Sequence, residues 1–598
     1  MDKWIVETKR ADFNGLAARF QISPVLARII RNRDVIGEEA VEEYLYGGPE
    51  RLHDPFLMKG MEEAVTTLLA KVRMGAHIRI IGDYDIDGVC ASYILLKGLE
   101  RLGARVDVDI PDRIADGYGV NARMAEAAVA DGADVILTCD NGIGQAAGEA
   151  LKIAKEQGLT VIVTDHHEVP TEGEREILPP VDVIVNPKQR ACGYPFRGLC
   201  GGAIAFKLVQ ALYTRAGISD PGELAAGRIP KELGELWEFA ALATVGDVME
   251  LKGENRILVK YGLEMMRHTE NKGLAHLMDV TGIRRENLSA YHLGFIIGPC
   301  LNAGGRLETA KRSLRLLLCT GEDEAETLAL ELKGLNDQRK AMTEQGVEAA
   351  VEQIESGTLS GDKVLVPFLP DCHESLAGII AGRIRERYNR PTIVLTRAKD
   401  GLKGSGRSIE AFSMFEELQK CKDLLSKFGG HPMAAGLSLP EENLEAFRHR
   451  LNDSCSLTEK DFRQTVRIDV PMPIGYISED FVKELELLEP CGNGNPKPVF
   501  AEQHFSLLKA QILGKNRNVL KLRVENREHC QMDALYFGDI EAFFGFLTEE
   551  FGEEEVERLR RGKPNTMDVA FTYYPGVNEF RGQKTLQITV QQYCRIRK

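Results

Sequence analysis

Five short β-branched runs, at residues 78–81, 106–110, 135–138, 160–164 and 181–185, alternate with helix-patterned stretches from Met61 onward. Parallel strands need long crossover connections, and helices supply them. The rhythm therefore predicts an α/β fold built on a doubly wound, mostly parallel sheet. In such a sheet the carboxyl ends of the strands share one edge, and ligands bind in the crevice outside it. Polar residues directly after these runs are the first candidates for chemistry.

Three runs end in such groups. Gly82-Asp83-Tyr84-Asp85-Ile86-Asp87-Gly88 sets three carboxylates at alternate positions, between the first strand and a helix predicted over 91–102. Cys139-Asp140-Asn141-Gly142 and Asp165-His166-His167-Glu168 follow two other strands. Clustered carboxylate oxygens suit a hard divalent cation. An EF-hand is excluded, because the twelfth position counted from Asp83 is Ile94 instead of Glu and a strand precedes the loop. Gly142, Gly144 and Gly148 miss the dinucleotide spacing by one residue and read as a tight turn. Neighbours on an extended chain point to opposite sides, so one of His166 and His167 is a direct ligand and the other orients it or faces substrate. Asp247 follows an apolar helical run and by itself is only a helix-end residue.

The remaining chain divides by texture. Residues 1–60 read as a helical lead-in and 61–320 as the first α/β domain. A long Pro-free helix at 322–356 joins it, across 321–358, to a second α/β domain at 359–464. There, a strand at 364–368, a helix at 375–388 and a strand at 392–395 lead to Lys403-Gly404-Ser405-Gly406-Arg407-Ser408, read as a loop that cradles phosphate, and Gly429-Gly430-His431 reads either as a turn or as a His that reaches into the cleft between the domains. From 465 to 598, short alternating strands around a helical insertion at 541–561 predict a small OB-like β-barrel. At 598 residues several cores are required. No run is apolar enough to span a bilayer and no signal peptide is visible, so the expectation is a cytoplasmic protein without membrane contact. Twelve cysteines without a Cys-x-x-Cys pair fit reduced thiols. A net charge of −15 excludes a protein that coats nucleic acid by bulk charge and requires any polyanion to meet locally placed cations.

Taken together, Gly82 to Gly88, Cys139 to Gly142, Asp165-His166-His167 and Gly246-Asp247 resemble the four ordered motifs of the DHH phosphoesterase superfamily. Within it the chain is most similar to the bacterial single-strand DNA exonucleases, and the resemblance is nearly full length. The second domain looks like the DHH-associated domain, through Gly429, Gly430 and His431. The resemblance implies processive 5′-to-3′ hydrolysis of single-stranded DNA to mononucleotides, in recombination and repair, with two divalent cations, Mn²⁺ or Mg²⁺. By family position Asp140 bridges them, Asp85 binds one, Asp87, His166 and Asp247 bind the other, and Asp83 assists; Asp85, Asp140, His166 and His167 are the catalytic set. Arg113, Arg306, His373, Ser405, Arg407 and His431 are the implied substrate contacts, and Arg383, Arg385, Arg387 and Lys403 are further basic candidates. A helicase and a single-strand-binding protein are the implied partners. Two departures stand out: Cys300 where the family shows Arg, and Ile81 where it often shows His. The rival readings are a DHH phosphodiesterase for short oligonucleotides or cyclic dinucleotides, and an inactive replication scaffold.

Overall fold

The computed structural model describes residues 3–357, 359–514, 516–580 and 582–596. The chain divides into two compact units, one of residues 48–464 and one joining 1–47 to 465–598. The larger unit opens with five parallel strands, β1 (His77–Ile81), β2 (Arg105–Asp109), β3 (Val135–Cys139), β4 (Thr160–Thr164) and β5 (Val183–Val185), in the order β2-β1-β3-β4-β5. Every residue of β1 and β3 is buried, as both faces of a helix-covered parallel sheet require. Helix α1 (Ile86–Arg101) crosses from β1 to β2, and α2 (Gly201–Ala216) and α3 (Lys231–Gly246) pack against it in one large core. Helix α1 starts five residues before the predicted 91. Asp85 caps it, and the cap overrides the turn-like look of Ile86-Asp87-Gly88.

After α4 (Gly298–Leu307), the 34-residue helix α5 (Glu322–Glu355) runs to the second domain, its first turn acidic, as the helix dipole favours. There α6 (Ala377–Tyr388) covers an antiparallel sheet of β6 (Thr392–Ala398), β7 (Gly401–Arg407), β8 (Lys427–His431) and β9 (Ala434–Leu439), ordered β8-β9-β7-β6. Three expectations are corrected here. Residues 364–368 make only two isolated bridges to β6, because Pro367 has no N–H to donate. Lys403 to Arg407 is strand β7, not a loop. A Cβ on Gly404 would stand 2.5 Å from Leu395 Cδ2, so the glycines let a flat strand lie close to its neighbours while Lys403, Ser405 and Arg407 share the opposite face. Gly429-Gly430-His431 likewise lies in strand β8, paired with β9.

In the smaller unit, β10 (Phe500–Leu513), β11 (Val519–Asn526), β12 (Gln531–Tyr536), β13 (Asp568–Phe580) and β14 (Gln583–Arg595) pair in the ring β10-β11-β12-β14-β13, and β13 returns to β10. This is a closed five-strand barrel, which leaves no free edge. Helices α7 (Ile540–Phe551) and α8 (Glu553–Arg560) form its insertion. The lead-in is helical but also contributes a strand, Lys3–Val6, that pairs in parallel with Thr465–Ile468.

Candidate active site

The carboxyl ends of β1, β3 and β4 bring the predicted carboxylates and histidines to one place. Asp85 Oδ1 accepts from the backbone N–H of Asp87 at 3.0 Å and of Gly88 at 3.1 Å, which sets Asp87 in the first turn of α1. There α2 meets it end-on: the N–H groups of Gly201 and Gly202 donate to its two carboxylate oxygens, each at 2.7 Å. Those amides are the positive end of a helix, and they fix the pose of the Asp87 carboxylate. A Cβ on Gly201 would stand 2.5 Å from Asp140 Cβ, so only glycine lets α2 approach this closely.

Asp140 follows β3 with φ +62°, a left-handed conformation uncommon outside glycine. Asn141 fixes that turn, its Nδ2 donating to Ile81 O at 3.1 Å and Cys139 O at 2.9 Å. Asp165 is not a free ligand. Its Oδ1 accepts from the N–H of His166 and His167 and from His167 Nδ1, and its Oδ2 from the N–H of Ile143, so it shapes the loop that presents the histidines.

Two neighbouring donor groups result, joined by a third. Asp83, Asp85 and Asp140 offer oxygens within 4.8 Å of one another, and so do the donor atoms of Asp87, His166 and Asp247. Asp140 Oδ1 links the groups, 3.0 Å from His166 Nε2, and Asp140, His166 and His167 form a third such set. Burial, then its neighbour Asp85, pushes the Asp83 carboxyl up to about 8, and burial, then Asp87, does the same to Asp247. Asp85 and Asp140 are raised by the same causes. Burial lowers His166 and keeps its imidazole neutral. At His167 burial, the largest single influence, acts to lower it, but the hydrogen bond to Asp165 and the charges of Asp165, Asp247 and Asp87 together lift it to about 9. Asp83 Oδ2 and Asp140 Oδ1 are buried without a hydrogen-bond partner. Crowded carboxylates, a neutral imidazole and orphaned oxygens form the donor set that a divalent cation completes.

Tyr84, between two of these aspartates, continues into a cleft of about 520 Å³ between the two α/β domains. Arg113, Arg306, Lys403, Ser405 and Arg407 line it. Arg113 lies 4.6 Å over the Tyr84 ring. Burial, then repulsion from Arg113 and Arg339, holds Arg306 down at about 10. Burial, then Arg385, lowers Arg407, whose Nη1 donates to Ser405 Oγ at 3.1 Å. One acid, Glu374, also lines the cleft and pairs with Lys403 at 2.8 Å, so Arg113, Arg306, Arg407 and Lys427 leave it with an excess of positive charge, as the donor cluster has an excess of negative charge. His373 does not line it: its Nδ1 lies 2.8 Å from Ser375 Oγ and caps the turn before α6. His431 also lies outside the lining, exposed at the end of β8. Arg385 pairs with Glu386 and Arg387 with Glu355, while Arg383 is exposed and outside the lining, so of the four extra basic candidates only Lys403 reaches the cleft. Cys300 faces α5, where Asn336 Nδ2 donates to its Sγ at 3.3 Å. Ile81 is fully buried.

Sequence reasoning passed over three contributors. Gly201-Gly202 was legible as a glycine pair opening an apolar helix. Gly378, in the first turn of α6, leaves room where a Cβ would stand 2.8 Å from both Ser405 Oγ and Arg407 Nη2. Tyr118 donates to Asp140 O at 2.6 Å and packs edge-on against His167; a lone tyrosine in a loop carries no signal of that kind.

Comparison with known proteins agrees with this geometry. The DHH family N-terminal domain matches residues 77–237, the DHHA1 domain 361–457 and the RecJ OB domain 468–592. The single-stranded-DNA-specific exonuclease RecJ of Bacillus subtilis (strain 168) is 35% identical over 600 residues, covering 98% of this chain and 73% of the relative. That of Escherichia coli (strain K12) is 34% identical over 587 residues, covering 95% of this chain and 96% of the relative. The crystal structure of RecJ in complex with Mn²⁺ from Thermus thermophilus superposes with a TM-score of 0.80 at 27% identity, over 100% of this chain and 80% of that one. With its DHH, DHHA1 and OB domains in order and relatives this similar over nearly its whole length, the chain belongs to the RecJ family of single-stranded-DNA-specific exonucleases.

Proposed function

We propose that this chain hydrolyses single-stranded DNA from its 5′ end, releasing mononucleotides with two divalent cations, Mn²⁺ or Mg²⁺. The observation that carries the reading is the pair of donor groups that Asp140 links through His166, beside Tyr84, which lines a predominantly basic cleft. Bound there, a cation pair would activate water and offset charge on the leaving oxygen. Asp140 would bridge the pair, with Asp83 and Asp85 on one side and Asp87, His166 and Asp247 on the other; the imidazole favours Mn²⁺. His167, cationic and half-exposed beside Tyr118, would face the phosphate as donor and proton source.

Ser405 and Arg407 would hold the 5′ phosphate and so set polarity, with Arg113 and Arg306 on the phosphates that follow. The barrel would hold the incoming strand by charge and stacking. Twelve free cysteines support a reducing, cytoplasmic site of action, where a helicase and a single-strand-binding protein would supply the strand.

The phosphate cradle is tested with Arg407→Ala on strands carrying a 5′ phosphate or a 5′ hydroxyl. The expected result is a rise in KM of roughly tenfold to a hundredfold on the phosphorylated strand, the worth of charged hydrogen bonds, and little change on the hydroxyl strand. Equal losses on both strands would contradict the assignment.

A further inference from the structure

Helix α3 carries an acidic residue that the proposed reaction does not use. Glu238 sits between Trp237 and Phe239 in an otherwise apolar run and is 4% exposed. Its Oε1 accepts from Thr269 Oγ1 at 2.8 Å, but its Oε2 is buried with no hydrogen-bond partner. An unpaired carboxylate oxygen is costly to bury, so it marks a position where a donor is missing. The residue lines a cavity of about 590 Å³, within the range of small-molecule sites. The walls are apolar around it, with Tyr93, Met265, Leu317 and Leu318.

The cavity is separate from the metal cluster. Tyr93 lies eight residues along α1 from Asp85, and Glu238 nine residues along α3 from Asp247, which at 1.5 Å per residue is about 12–14 Å. The charges nearest Glu238 are of its own sign, and Lys231, which also lines the cavity, lies seven residues back along α3, about 10 Å. Glu235 and Glu270 also line the cavity and, after burial, are what raises Glu238 to about 7, while Lys97 and Lys272 on its rim are paired with Glu100 and Glu322.

We propose that this cavity is a binding site for a small organic cation, an amine or amidine whose N–H groups donate to Glu238 Oε2 while an apolar body fills the space between Tyr93, Met265 and Leu317. The reading is independent of nuclease activity. Gly234 stands at the wall, where a Cβ would lie 3.5 Å from Met265 Sδ, so a larger side chain there fills the cavity while leaving the Glu238 carboxylate in the chain.

Titration calorimetry on the full chain with phenethylamine, benzamidine and the neutral isostere 2-phenylethanol tests the site. One-to-one, saturable binding of phenethylamine or benzamidine is expected. It should weaken at least about tenfold, the worth of one charge-assisted hydrogen bond, in Glu238→Gln and again in Gly234→Leu, and persist in Asp140→Asn. The alcohol should bind at least about tenfold more weakly than the amine. Absence of saturable binding by both cations, equal binding by Glu238→Gln, or equal binding of the alcohol would overturn the proposal.

Discussion

Asp140→Asn is expected to lower kcat on single-stranded DNA by roughly a thousandfold or more, the several kcal/mol that a shared metal ligand supplies to a two-cation displacement. Asn is the informative replacement because it keeps the size of the side chain and tolerates the left-handed backbone that Asp140 adopts at φ +62°. An alanine there would mix backbone strain with lost chemistry. The fold should not weaken. Asp83, Asp85, Asp140 and Asp247 each resist ionisation because they are buried together, so removing one charge relieves repulsion in the metal-free protein. Mn²⁺ titration followed by calorimetry should show lost or much weakened binding, with a metal-free Tm equal to or above that of the parent. A fall in both activity and metal-free Tm would assign Asp140 a structural role instead.

Lys207→Met is expected to destabilise the larger unit by about 3–5 kcal/mol, the cost of stranding one member of a buried ion pair. Lys207 Nζ lies 2.6 Å from Glu254 Oε1 and donates to His53 O at 2.9 Å, with both partners essentially without solvent. Glu254 in turn accepts from Tyr194 OH at 2.6 Å and from the N–H of His53 at 2.9 Å. This network ties the segment before the first domain to α2, the helix that holds Asp87. The urea midpoint of the larger unit should fall in Lys207→Met and recover substantially in Lys207→Met/Glu254→Gln, where no charge is stranded. An unchanged midpoint in the single variant would show that the pair contributes little.

The sheet and the donor cluster were legible because both rest on local pattern. Period and β-branching placed β1 to β4 within a residue of where they lie, and Asp140, His166 and His167 follow strands whose carboxyl ends must share an edge. Asp87 was legible as a carboxylate, but not as a member of α1, because Gly88 looks like a turn until the Asp85 cap is seen. Strand β7 was misread for a related reason. Alternating glycines look like a flexible loop, whereas pairing on both sides makes Gly404 and Gly406 a flat strand whose other face carries Ser405 and Arg407. His373 and His431 show the converse limit: the family resemblance implied substrate contacts, whereas His373 caps the turn two residues on and His431 sits at the end of β8, outside the cleft lining. The Gly201-Gly202 amides on Asp87 depend on a contact across more than a hundred residues, which no local pattern encodes.

The most direct measurement is digestion of a long single strand labelled at one end or the other, beside the same sequence as duplex, with Mn²⁺ present and then removed by chelation. The account predicts labelled mononucleotide released first from the 5′-labelled strand, late release of the 3′ label, an intact duplex, and no product without metal. Release first from the 3′ end, cleavage confined to dinucleotides, or undiminished activity after chelation would contradict it.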